Sequence, residues 1–214
     1  MPPEALLWDW DNTLVDAWGG IQAALNATFA EHGLPAWSQE ETRARVRGSM
    51  QESFPPLFGA NWRTAVGSFR AHHRAMQLAH LAPLPGVAPI LAAYPGPQAV
   101  VSNKEGAPLR REVAHLGWEP HFGVMVGADD AAAAKPDPAP IWYALERLGL
   151  KPSPAIWYIG DTAVDMLAAK AAGVTAVLLG DAAHDGGIAE LAKRAADPHL
   201  HFVTADALAI RLGV

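Results

Sequence analysis

The sequence predicts an α/β protein: a Rossmann-like parallel sheet core wrapped by helices, with an inserted all-helical cap domain. Three observations lead there. Short apolar runs alternate with longer Ala/Leu-rich helical patterns. The runs are almost bare of polar residues, as strands covered on both faces are. One stretch, from Ala17 to Ala82, holds helical patterns and no strand-like run at all.

The first run, Ala5–Asp9, opens the core. The rhythm then breaks into helical patterns at Gly20–Glu31, Gln39–Val46 and Trp62–His80, punctuated by Pro55-Pro56 and Gly59. The segment from Leu81 through Pro83 and Pro85 to Gly86 reads as a linker back to the core. Further runs at Gln98–Ser102, Val124–Val126, Ala155–Ile159, Thr175–Leu179 and His201–Val203 follow as strands. Helical patterns at Ala107–Leu116, Pro138–Leu148, Thr162–Ala172, Ile188–Ala195 and Ala205–Leu212 separate or follow them. Gly149, Gly173 and Gly213 each sit just past such a pattern, where a C-terminal cap favours a left-handed residue. The expected division is a core of residues 1–16 and 85–214 and a helical cap of residues 17–84. Trp18, Trp37 and Trp62 are expected to anchor the cap's own core.

Composition bounds the function. The 214 residues suffice for one substantial core with a smaller insert, and 50% hydrophobic with 18% charged residues is ordinary for a soluble globular chain. No apolar stretch approaches the roughly 20 residues of a membrane helix. Charged residues follow the N-terminus at once, at Glu4 and Asp9, which argues against a secretory signal. The lack of cysteine excludes disulfides, thiolate chemistry and cysteine-ligated zinc, and fits the cytoplasm. A formal net charge of −6 argues against a nucleic-acid partner, and any anionic substrate must be attracted locally.

In open parallel sheets, ligands bind beyond the carboxyl ends of the strands. The first strand is followed by Asp9-Trp10-Asp11-Asn12-Thr13, and the second by Ser102-Asn103-Lys104. Past the third, a loop carries Lys135-Pro136, and the fourth is followed by Gly160-Asp161 and, four residues on, Asp165. Two like charges about 4 Å apart repel by roughly 4 kcal/mol at an effective dielectric near 20. One lysine does not offset four carboxylates, so Asp9, Asp11, Asp161 and Asp165 point to a hard divalent cation, and oxygen-only ligands suit Mg2+. Any one of these aspartates alone reads equally as a helix cap or turn residue.

The Asp-x-Asp-x-Thr start, the serine after the second strand, the Lys-Pro and the Gly-Asp-x-x-x-Asp stand in one order along essentially the whole chain. In that order and spacing they resemble the haloacid dehalogenase superfamily of phosphohydrolases, and the helical insert resembles that family's C1-type cap. The Asn-Lys after Ser102, and the Leu-Pro-Gly-Val before it, are most similar to the phosphoglycolate phosphatase group. The resemblance implies that Asp9 attacks phosphorus to form an aspartyl-phosphate, and that Asp11 is the acid/base partner. It implies that Ser102 and Lys135 hold phosphate oxygens with backbone N–H groups beside Trp10, and that Asp161 is the second metal ligand. Asp165 is expected to hold a metal-bound water or to orient Lys135, and Thr13 to orient the loop or to cap it. Asn103 and Lys104 stand beside the phosphate position, with supporting or solvated roles equally open. Asn12 replaces the glycine of many relatives, and Trp10 is bulkier than the usual residue, narrowing the mouth toward the cap.

The expected substrate is a small phosphorylated metabolite, phosphoglycolate first among them. Asp11 weakens a dehalogenase reading, since halide leaves without a proton. The stretch Ala17–Ala82 has no lysine for the Schiff base of a phosphonate-cleaving relative. A sugar phosphomutase and a non-catalytic scaffold remain as alternatives. Within the cap, Arg47 is the candidate to reach a substrate carboxylate or second anion, with an exposed surface ion pair the favoured alternative. Cap closure is expected to hinge near residues 15–17 and 82–86.

Overall fold

The protein is described by a computed structural model covering residues 2–46 and 50–214. It divides into two compact units, one of Met1–Val15 with Pro83–Val214 and one of Asp16–Ala82. The chain begins with β1 (Ala5–Trp8) and β2 (Val15–Asp16) and continues through α1 (Trp18–Glu31), α2 (Gln39–Arg45), α3 (Met50–Phe58) and α4 (Trp62–Met76) to β3 (Ala82–Pro83). Then come α5 (Val87–Ala93), β4 (Gln98–Val101), α6 (Gly106–His115), β5 (Val124–Val126), α7 (Ala139–Leu148) and β6 (Ile156–Gly160). The chain closes with α8 (Ala163–Ala172), β7 (Thr175–Leu179), α9 (Ile188–Lys193), β8 (Leu200–Phe202) and α10 (Ala205–Leu212). The strands of the large sheet fall within one residue of the runs read from the sequence.

Among the described residues, six strands form one sheet in the order β5-β4-β1-β6-β7-β8. Every pairing in it is parallel. From β1 the chain moves on to the β4 side, and from β6 to the β7 side. The crevice where ligands bind in such sheets therefore lies beyond the ends of β1 and β6. Register completes the placement: Trp8 lies opposite Val100 on one side and Ile159 on the other, so Asp9, Ser102 and Asp161 emerge at one edge.

Every residue of β1, β4 and β6 is buried, which explains their unbroken apolar character. Leu7, Val101, Tyr158, Ile141 and Met166 share a single buried cluster with α7 and α8. Each fully buried Leu or Ile contributes about 1.5–3 kcal/mol, so the sheet that carries the site is a stiff base. Gly149, Gly173 and Gly213 end α7, α8 and α10 with φ of 71°, 77° and 78°, the left-handed caps anticipated. No helix among the described residues is long and apolar enough to cross a membrane.

The second unit buries Leu25, Phe29, Trp37, Phe54, Phe58 and Ala65 together, with Trp62 and Phe69 packed against them. Ser38 starts α2 with a capping box to Glu41. One expectation needs correction. Pro55 and Pro56 do not break the chain but lie inside α3. A proline in a helix interior costs about 3 kcal/mol, yet Phe54 and Phe58, one turn apart, pack with tilted rings, and Phe58 meets Phe29 at 5.6 Å. Burial of that aromatic face offsets the lost donors. Helix α5 was hidden among Pro85, Gly86 and Pro89, yet it buries Val87, Ile90 and Leu91. Arg47 lies outside the described residues.

Gly160 closes β6 directly beneath Asp165, where an added Cβ would collide with that side chain's Cβ and Cγ. Gly160→Ala is expected to lower the unfolding free energy by about 1–3 kcal/mol through overpacking, read from urea titrations. An unchanged midpoint would contradict the close approach.

Candidate active site

Asp9, Asp161 and Asp165, all buried, offer oxygens that lie within 4.8 Å of one another. They border a cleft of about 370 Å³ together with Asp11, Ser102 and Lys104. Lys135 reaches into it from the loop after β5, its side chain 2% exposed. Its ammonium has three protons and uses each: Nζ donates to Asp9 Oδ1 at 2.6 Å, to Asp165 Oδ1 at 2.7 Å and to the Tyr158 hydroxyl at 2.7 Å. Tyr158 in turn donates to the Val101 carbonyl at 2.8 Å, which ties the cluster to β4. Thr13, fully buried, turns its hydroxyl toward Asp161 Oδ1 at 3.2 Å and Asp9 Oδ2 at 3.5 Å.

The electrostatics are those of an anionic cluster with one resident cation. Burial pushes the Asp9 carboxyl well above its ordinary range, Lys135 pulls it down, and Asp165 and Asp161 push it up again. Burial disfavours the Lys135 charge, but Asp165 and Asp9 outweigh that and hold the ammonium well above its ordinary pKa. Asp165 is the reverse case: burial raises it, and Lys135 with Thr162 brings it below the usual carboxylate value. Burial raises Asp161 despite His184 beside it. Three carboxylates against one ammonium leave negative charge to be balanced.

The oxygens show where a cation fits. Asp161 Oδ2 is buried and has no hydrogen-bond partner. Its neighbour is the His184 imidazole, whose Nε2 stands at an ion-pair distance of 3.1 Å. Asp165, by contrast, is saturated. Its Oδ1 takes Lys135, and its Oδ2 accepts from the Thr162 hydroxyl at 2.6 Å and the Thr162 amide at 3.0 Å. Although all three carboxylates are close, Asp9 and Asp161 are the two with lone pairs to spare. That oxygen-only donor pair fits a hard dication.

Asp11, Asn12, Ser102 and Asn103 line the same cleft, and Trp10 does not. The Asp11 carboxylate, 33% exposed, stands apart from the cluster and accepts from Lys104 Nζ at 2.7 Å. Trp10 does not line a mouth: its side chain is fully buried, its indole N–H donates to Glu112 Oε2 at 2.5 Å, and it meets Trp118 edge-on. The reason is burial of the ring, which turns residue 10 under the loop. Asn103 also differs from the phosphate-binding expectation, because both ends of its amide are engaged by the Lys135 backbone, each at 2.9 Å. Ser102 lines the cleft, its hydroxyl accepting from the Lys104 amide at 3.1 Å. Asn12 takes φ 61°, the left-handed turn its residue type tolerates.

Sequence reasoning missed Glu112, Tyr158 and His184. Glu112 falls between Leu109 and Val113 on the buried stripe of α6, and an acid on an apolar helix face was a legible signal. Tyr158 was a polar tip within an apolar strand. His184 had no local signal.

Lys135→Met is expected to strip the buried carboxylates of their counter-charge and destabilise the metal-free fold by about 3–5 kcal/mol near neutral pH. Without the ammonium the folded carboxyls bind protons more tightly than the unfolded ones. The deficit therefore grows as pH rises above the unfolded carboxylate pKa, and shrinks on acidification. Denaturant titrations at two pH values check this; a deficit independent of pH would contradict it.

The model of the haloacid dehalogenase-like hydrolase family matches residues 6–179. A protein named phosphoglycolate phosphatase from Xanthomonas campestris pv. campestris (strain 8004) is 31% identical over 182 residues, covering 82% of each chain. A HAD-superfamily hydrolase of subfamily IA from Geobacter sulfurreducens shares the fold, with a TM-score of 0.78 at 20% identity over 99% of this chain and 97% of that one. Protein Tyrosine Kinase A of Mycobacterium tuberculosis is 26% identical, with a TM-score of 0.80, over 100% of this chain and 99% of that one. The family match spans the strand ends that carry Asp9, Ser102, Lys135 and Asp161, and the chain belongs to the haloacid dehalogenase-like hydrolases.

Proposed function

We propose that this chain is a magnesium-dependent phosphatase that hydrolyses small phosphomonoesters through an aspartyl-phosphate on Asp9. The observation that carries the reading is the setting of Asp9. It follows β1 in the crevice, clamped by Lys135 on one oxygen, with the buried carboxylates of Asp161 and Asp165 close by. Asp9 and Asp161 would hold the magnesium, which supplies charge compensation for the cluster and polarises the phosphoryl group.

The chain's own residues do the rest. An Asp9 oxygen attacks phosphorus; the new O–P bond forms as the bond to the leaving oxygen breaks, and Asp11 gives that oxygen a proton. Asp11 then takes a proton from water as the water attacks phosphorus, which frees Asp9 and releases inorganic phosphate. Positioned acid/base catalysis of this kind is worth about 10²–10⁴-fold. The Ser102 hydroxyl offers its proton to a phosphoryl oxygen, and Lys135 steadies Asp9 while balancing the charge that gathers around it. Asp165 acts through Lys135. Asn103 fixes the Lys135 backbone.

The unit Asp16–Ala82 serves in this reading as the cap that selects substrate. Phosphoglycolate is the leading candidate, since the relatives at about 30% identity carry the name phosphoglycolate phosphatase. The cytoplasm is the expected compartment.

Hydrolysis of p-nitrophenyl phosphate is expected to require magnesium and to disappear in Asp9→Asn, and phosphoglycolate is expected to lead a phosphometabolite panel by kcat/KM. Turnover that survives Asp9→Asn, or folded wild-type protein inert at saturating magnesium, would overturn the reading.

A further inference from the structure

Beside the Asp9 cluster lies a second charged assembly that the reaction outlined above does not use. Glu112, on α6, is 1% exposed. Its Oε2 accepts from Lys104 Nζ at 2.6 Å and from the Trp10 indole at 2.5 Å. The same Lys104 Nζ donates to Asp11 Oδ1 at 2.7 Å. One carboxylate buried under the sheet edge thus grips the loop after β1 twice, through the ring of residue 10 and, by way of Lys104, through the carboxylate of residue 11. Trp118 meets the Trp10 ring edge-on with centroids 6.0 Å apart, which fixes the indole's direction.

A buried carboxylate without partners is costly, and this one has two donors aimed at a single oxygen. The arrangement also has a use. A lysine beside Asp11 would bring a full positive charge to the leaving-group side of the cleft. Glu112 balances that charge, so Lys104 keeps the orienting hydrogen bond and adds little net field. The unusual Trp10 then has a purpose, because its N–H is the second donor Glu112 requires.

We propose that Lys104 and Glu112, braced by Trp10, are positioning residues that aim the Asp11 carboxyl at the leaving oxygen. The inference rests on the reading of Asp11 as acid/base. Misplacing a reacting group by about 1 Å costs on the order of 10²-fold. Water activation by Asp11 is common to every ester, so the leaving-group dependence is read in kcat/KM, which reports formation of the aspartyl-phosphate. p-Nitrophenolate leaves readily without a proton; an alkoxide does not.

The experiment is a leaving-group series, from p-nitrophenyl phosphate to an accepted alkyl phosphate, on wild type, Asp11→Asn, Lys104→Met, Lys104→Arg and Glu112→Gln. Lys104→Met is expected to lose roughly 10–100-fold more kcat/KM on the alkyl ester than on the nitrophenyl ester. Lys104→Arg is expected to recover part of that loss, and Glu112→Gln to shift the ratio in the same direction. Adding Lys104→Met to Asp11→Asn is expected to cost nothing further. Should Lys104→Met unfold, the double isostere Lys104→Met with Glu112→Gln removes both charges together and carries the same prediction. Equal kcat/KM losses across the series would overturn the inference while leaving the reading of Asp11 intact. An Asp11→Asn variant with no leaving-group dependence would overturn both.

Discussion

The Lys135 ammonium, buried among Asp9, Asp165 and Tyr158, is the interaction on which the rest of the site depends. At contact distance an ion pair is worth about 4 kcal/mol at the effective dielectric near a protein surface, and here one cation serves two carboxylates. Its three hydrogen bonds are each taken, so its head has one place to be. Its backbone is held as firmly, since Asn103 bonds both the amide and the carbonyl of residue 135. A flexible side chain is thereby made into a fixed charge, and Asp9 is fixed with it. The ammonium balances only part of the negative charge it meets, and the three carboxylates could hold a cation besides.

The sheet makes this gathering possible. Asp9 and Asp161 lie far apart in the chain and one strand apart in space, and the parallel register of β1, β4 and β6 brings their ends level. The crevice forms where the connections after β1 and β6 diverge. Thr13 and Thr162 then tune individual oxygens: Thr13 sits between Asp9 and Asp161, and Thr162 satisfies Asp165. The outcome is a division of labour among chemically identical side chains. Asp165 is bound by Lys135 and Thr162, Asp161 faces Thr13 and His184, and Asp11 stands apart against Lys104.

The sheet and its strand ends were legible in the sequence because buried parallel strands write themselves as apolar runs, and because the residues after each run announce the crevice. Strand β5 at Val124–Val126 and β7 at Thr175–Leu179 fall where those runs lie. What escaped notice depends on tertiary contact. Trp10 looked like a wall of the cleft, and only the buried Glu112 of α6 explains why its ring turns inward. Asn103 sat beside the phosphate position in sequence, yet its amide geometry matches a backbone thirty-two residues away. Pro55 and Pro56 carried a local helix-breaking signal that burial of Phe54 and Phe58 overrode. In each case a local rule yielded to a partner distant in the chain.

The central claim, that Asp9 and Asp161 form a site for one hard dication, is tested most directly by titrating the folded protein with Mn2+ and counting free ion by electron paramagnetic resonance. The account predicts one ion bound per chain, displaced by magnesium, and weakened by at least about tenfold in Asp161→Asn. A protein that binds no manganese, or binds it equally well without the Asp161 carboxylate, would contradict it.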